Sequence, residues 1–274
     1  MYTGFRIISG VDGQGIVIDL EFNWNPEYFE SLARVWQLKK IRGVDFIRAG
    51  NPDFDGGYIT INDPRANKIA YSFGINQDVS WDDDMANLGY QIFMYDMTIE
   101  DLPKHRPEFH FFKEGIGGKF DPVQKLDTLE HFIKRNGHEN RRNMILKMDV
   151  EGAEYDFIEQ VDSKTLEQFD QMTFEFHNLV MGLTFERAAK IISCFKKLNQ
   201  THQIVHLHAN NANVSIMYED DEYPELLEIT YANRANYEFI DEEINLPIPR
   251  LDMPNIAQNP EIILGRWNDR VKKF

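Results

Sequence analysis

From Lys68 onward, short apolar runs alternate with amphipathic helical stretches, and this alternation constrains the fold more than any other feature. The runs Ile69–Phe73, Gln91–Tyr95, Phe109–Lys113, Met144–Met148, Gln171–Phe176, Gln203–His208 and Leu226–Tyr231 read as strands. Helices fit at Asp82–Leu88, Leu126–Asn136, Glu154–Val161 and Phe185–Leu198. Strands joined through helices must run parallel, because a parallel pair needs a long crossover, and crossovers cover both sheet faces. The expected fold is therefore α/β, a doubly wound, mostly parallel seven-stranded sheet. The core spans 68–245. Residues 1–67 precede it as a segment packing on the core, with a helix from Pro26 to Lys40, capped by Asn25, and a glycine-rich hairpin at Phe46–Ile61. The proline- and asparagine-rich stretch 246–274 is expected as a surface tail.

A formal net charge of −16 argues against nucleic acid and against anionic membranes, since phosphate-rich surfaces need a basic partner. A phosphorylated small molecule stays open, because a few Arg or backbone N–H groups suffice to hold one. No apolar run approaches the roughly 20 residues of a membrane span, and the N-terminus lacks the pattern of an export signal. The single cysteine, Cys194, falls in a helical pattern and reads as a small buried filler. These features suit a cytoplasmic protein acting on a small molecule. Oligomeric state is not legible.

In an open α/β sheet a ligand sits beyond the carboxyl ends of the strands, where strand order reverses. The first strand ends Ser72-Phe73-Gly74 and continues to Asp78, a turn whose glycine lets a cofactor approach the backbone. The second ends Tyr95-Asp96-Met97, with an acid about 20 residues beyond that glycine, suited to the two hydroxyls of a ribose. Gly115-Ile116-Gly117 follows the third. The fourth ends Met148-Asp149-Val150-Glu151-Gly152-Ala153-Glu154, three carboxylates that need cations or donors facing them; Glu154 fits the start of the next helix. The fifth ends Glu175-Phe176-His177, with Glu175 and His177 on one face, so His177 beside carboxylates is a candidate general base or metal ligand. His206 and His208 share a face near Asn210, while the run Asp82-Asp83-Asp84 reads as helix capping.

Leu146-Lys147-Met148-Asp149-Val150-Glu151-Gly152-Ala153-Glu154 resembles the fourth-strand signature of the FkbM-type family of class I methyltransferases that use S-adenosylmethionine (SAM). Arg48-Ala49-Gly50 with Asp55-Gly56-Gly57-Tyr58, Lys125–Leu129, Tyr71–Ile75, Glu175–His177 and His206–Asn211 are similar to its methyltransferase-like branch. The resemblance implies a Rossmann-like domain binding SAM through Ser72, Gly74, Asp78, Asp96, Met97, Gly115, Ile116 and Asp149. It implies O-methylation of a sugar or nucleotide-linked sugar, as in capsule, lipopolysaccharide or other polysaccharide biosynthesis. The acceptor contacts are then Tyr58, Glu151, His206, His208 and Asn210, and the catalytic residues His177, Asp149 and Glu175. The last three are also the candidate ligands of a divalent Mg or Mn ion. Ser72 stands where the family's first motif carries aspartate. The competing readings are a metal-dependent sugar-nucleotide transferase and a non-catalytic nucleoside-binding protein.

Overall fold

A computed structural model describes residues 6–8, 26–63, 65–180 and 184–273. In chain order the elements are β1 (Arg6–Ile8), α1 (Pro26–Val35), β2 (Lys40–Ile41), β3 (Phe46–Gly50), β4 (Gly57–Ile61), β5 (Ile69–Phe73), α2 (Ser80–Asn87), β6 (Gln91–Tyr95) and β7 (Phe109–Phe112). There follow β8 (Gly115–Ile116), β9 (Leu126–Asp127), α3 (Leu129–Arg135), β10 (Met144–Met148), α4 (Glu154–Gln160), α5 (Ser163–Leu166) and β11 (Phe169–Phe176). The chain closes with α6 (Phe185–Thr201), β12 (His202–Tyr218), β13 (Asp221–Asn233), β14 (Phe239–Ile240) and α7 (Trp267–Arg270).

All seven expected strands lie in one sheet of order β1-β12-β13-β11-β10-β5-β6-β7, with β1 added at one edge. From β11 to β7 the pairing is parallel; β13 runs against β11 and β12, and β1 against β12. The order reverses between β5 and β10, so a crevice opens beyond their carboxyl ends.

Alternation along each strand sends side chains to two separate cores. Tyr71, Phe73, Tyr95, Leu146 and Met148 pack on one face with residues of α1, α3, α4 and α6. Ala70, Ile92, Met94 and Ile145 pack on the other with α2 and the β3–β4 hairpin. Helix α1 shows why the first face closes: Phe29, Leu32, Ala33 and Trp36 recur at helical spacing and are completely buried. Burying each of the large ones contributes about 1.5–3 kcal/mol. The helix stops at Val35, short of the expected Lys40, because Lys40 pairs with Ile240 in a small sheet. Asn25, its expected cap, lies outside the described residues. Helix α3 begins at Leu129, where the Thr128 hydroxyl accepts from the His131 N–H at 3.3 Å; Leu126 pairs with Gly115 instead of opening the helix.

The hairpin is fastened across the sheet. The Gln171 side-chain oxygen accepts from the Ile61 N–H at 2.8 Å, its amide donates back to the Ile61 carbonyl at 3.1 Å, and the Thr230 hydroxyl donates to the Ile59 carbonyl at 2.6 Å. These ties hold Tyr58 over the ends of β10 and β11. The stretch from 246 to 273, expected on the surface, instead buries Leu246, Ile262, Leu264 and Trp267 in the main core. Trp267 packs 5.2 Å from Trp36 between ring centres, a long-range contact that tail composition cannot reveal. Among the described residues no helix is long and apolar enough to cross a membrane.

Candidate active site

A cavity of about 880 Å³ occupies the crevice at the reversal of strand order. Its wall includes Tyr58, Gly74, Asp78, Asp96, Met97, Gly115, Ile116, Asp149 and Glu151, so most of the expected cofactor residues come together. Gly74 is required by geometry: it has φ +76°, and a Cβ there would sit 1.6 Å from the Asp149 carbonyl oxygen. The ends of β5 and β10 therefore approach as closely as backbone permits. Ser72 is fully buried and does not line the cavity, although it lies opposite Lys147 in the sheet.

Asp96 does line the cavity, but its acceptors are spoken for. One oxygen accepts from the Ile75 and Asn76 N–H groups, both at 2.8 Å, and the other from the Thr98 N–H and hydroxyl at 2.7 and 2.6 Å. Burial would raise its pKa, yet these bonds outweigh burial and lower it. A carboxylate has about four acceptor sites. Asp96 therefore fixes the turn after β5, instead of offering the free acceptors expected for a ribose.

The trio expected to be catalytic divides. Asp149 lines the cavity, whereas His177, 3.7 Å from Asp149, and Glu175, 3.9 Å from His177, do not. Tyr58 donates from one hydroxyl toward Asp149 at 3.1 Å and Glu175 at 3.3 Å. His177 Nδ1 lies 3.1 Å from Glu154, and Nε2 lies 3.3, 3.7 and 3.9 Å from Glu151, Asp149 and Glu175. Burial alone would lower the His177 pKa, but Glu154, Glu175 and Asp149 overcome it and lift it to about 9. Without a bound metal, these acids favour the protonated imidazole at neutral pH. Burial, then Asp149 and Glu228, push Glu175 well above the ordinary carboxylate range.

Glu154 is completely buried, and it accepts from the Val150 and Gly152 N–H groups as well as facing His177. Its place at the start of a helix was legible, but its role as the partner of His177 was not. Glu151 adopts φ +56°, a strained conformation that turns it toward Nε2. Asp149, Glu151 and His177 each offer a ligand atom within 4.8 Å of the others, and Asp55, Glu175 and Glu228 form a second such group. One imidazole with carboxylate oxygens suits a hard divalent ion.

The other acceptor candidates lie outside the cavity wall. Glu228 pairs opposite both Glu175 and His208 in the sheet. His208 bonds Glu228 at 3.1 Å and Glu261 at 2.9 Å; these acids overcome burial and lift it to about 10. His206 is buried against Asp252, and Asn210 donates to Glu175 at 3.0 Å. His208 is thus held as a cation between two acids, His206 is paired with Asp252, and neither histidine lines the cavity. Asn255 donates to both Asp55 and Glu228; Asp55 was legible only as part of the Asp55–Tyr58 motif, and Glu228 and Asn255 had no readable signal in sequence.

The helix-capping reading of Asp82-Asp83-Asp84 also changes. The residue before α2 makes no side-chain cap; Asp83 pairs with Lys104 and Arg106, Asp84 accepts from the Gly50 N–H, and Asp82 is buried at the cavity. The cations nearest a phosphate site are engaged elsewhere. Arg48 donates to the Asn51 and Phe54 carbonyls, Arg234 to those of Asn199 and His202, and Lys147 to that of Gly74. The cavity wall holds Asp55, Asp78, Asp82, Asp96, Asp121, Asp149, Glu151 and Asp156 against Lys119 and Lys147.

The model of the Methyltransferase FkbM domain matches residues 5–200. No curated protein matches the chain. A solved structure named "Putative hemolysin from Streptococcus thermophilus" aligns at 8% identity and a TM-score of 0.37, covering 83% of this chain and 78% of that one.

Proposed function

Because the chain belongs to the Methyltransferase FkbM domain family, we propose that it transfers a methyl group from SAM to a hydroxyl of an uncharged sugar. The observation that carries this reading is the acidic cavity at the reversal of strand order. SAM brings a sulfonium and an ammonium against one carboxylate, a net cation that such a wall attracts. A nucleotide-linked sugar brings a diphosphate that the same wall repels, and Arg48, Arg234 and Lys147 are all committed to carbonyls.

When bound, SAM supplies an electrophilic methyl carbon open to in-line attack. The protein aligns the attacking hydroxyl, keeps water out and takes up its proton. Asp149, at the cavity, is the acceptor for that proton. Tyr58 and protonated His177 orient it from behind, at 3.1 and 3.7 Å. With its imidazole deprotonated, His177 together with Asp149 and Glu151 would hold a divalent ion, which would lower the pKa of the hydroxyl.

Calorimetric titration with SAM, repeated with EDTA and with Mg or Mn, tests the donor. Transfer of labelled methyl to neutral sugars and to nucleotide-linked sugars tests the acceptor. Absence of SAM binding would overturn the proposal; preference for the nucleotide-linked acceptor without metal would overturn the charge argument.

A further inference from the structure

We infer that Asp82, on α2, is the residue that binds the α-ammonium group at the methionyl end of SAM, in place of the acid that this chain lacks at Ser72. The inference rests on the SAM reading above and assigns a contact within it.

Asp82 sits in the first turn of α2, is 1% exposed and lines the cavity. Its Oδ1 has no hydrogen-bond partner among the described residues. A buried carboxylate with no cation in contact is unfavourable by about 1–3 kcal/mol or more, so a cationic donor delivered by a ligand would be bound strongly there. The protein does not supply one in contact: the Lys147 ammonium is directed to the Gly74 carbonyl at 2.8 Å, and no ion pair joins it to Asp82 among the described residues. Burial pushes the Asp82 carboxyl up to about 6, and Lys147 and then the Ser72 hydroxyl offset it in part. The buried Ser72 hydroxyl faces Asp82 and offsets part of its burial, but a neutral donor leaves the carboxylate charge without a cation in contact.

The neighbouring acids are less available. Asp96 is filled on both oxygens. Asp78 accepts from the Ser80 N–H at 2.8 Å and is exposed to solvent, which weakens its pull on a cation. Met97, Ile116, Gly74 and Asp82 line the same cavity, so a cofactor whose adenosine lay by Met97 and Ile116 would bring its amino-acid end past Gly74 to Asp82.

The test compares S-adenosylhomocysteine with its deaminated analogue, by calorimetry, on the wild type and Asp82→Asn. The wild type should bind the amino-bearing ligand about 10- to 100-fold more tightly, the range of a charge-assisted hydrogen bond. In Asp82→Asn the two ligands should bind within about threefold of each other, with the deaminated analogue unchanged. Asp82→Ser serves where the first variant does not fold, and the deaminated analogue certifies the adenosine site in either. A preference that survives both substitutions overturns the assignment to Asp82 and leaves the SAM reading intact. Wild type that binds neither ligand overturns both.

Discussion

Replacing His177 with Asn tests the electrostatics of the site directly. The imidazole is raised from 6.5 to about 9 by Glu154, Glu175 and Asp149 against the opposing effect of burial. At about 1.36 kcal/mol per pKa unit, that rise corresponds to about 3 kcal/mol of folding stability. The sign follows from the direction. A group whose pKa is raised on folding contributes fully below its unfolded value of 6.5, and the contribution fades as pH climbs through about 9. Urea unfolding in EDTA, run from about pH 6 to pH 10, should show the wild type more stable than His177→Asn by a margin that shrinks by about 3 kcal/mol across the range. Taking the difference removes His208, which is also raised, to about 10, and is common to both proteins. A margin constant with pH, or an imidazole titrating near 6.5 by NMR, would refute the reasoning.

Asp149→Asn should lower kcat by about 10²- to 10⁴-fold while SAM binding persists, and a variant with undiminished turnover would remove Asp149 as the proton acceptor. Gly74→Ala should destabilise the fold by about 2–4 kcal/mol, because its Cβ has no space beside the Asp149 carbonyl; an unchanged melting temperature would contradict this. Glu154→Gln removes the nearest charge facing Nδ1, so the His177 pKa should fall below about 9 in an NMR titration, and a value that stays put would mean the other acids alone hold it.

The strand–helix alternation was sufficient to determine the sheet, since an apolar run of strand length has few alternatives once helices separate it from its neighbours. Strands β5, β6 and β10 lie where they were expected, residue for residue. Period two along these strands also placed the polar ends of β10 and β11 on one face, so Asp149, Glu175 and His177 could be read as neighbours. The Leu146–Glu154 run further carried the family. Short-range rules govern all of this, and sequence encodes them locally.

Distances across the fold were decided only by tertiary structure. Glu154 was assigned to a helix start, yet packing turned it onto His177 and made the imidazole a cation. Asp82, read as a cap, became a buried carboxylate at the cavity with no cation in contact, because α2 lies against the face that carries Ser72 and Lys147. Asp55, Glu228 and Asn255 meet through a hairpin, a distant strand and the tail, separations that no local pattern records. Protonation and free valence depend on which groups burial and long-range packing bring within a few ångströms. The sequence alone therefore determined the framework and the line of acids, while the tertiary structure decided which of those acids carry charge, which are satisfied and which remain open to a ligand.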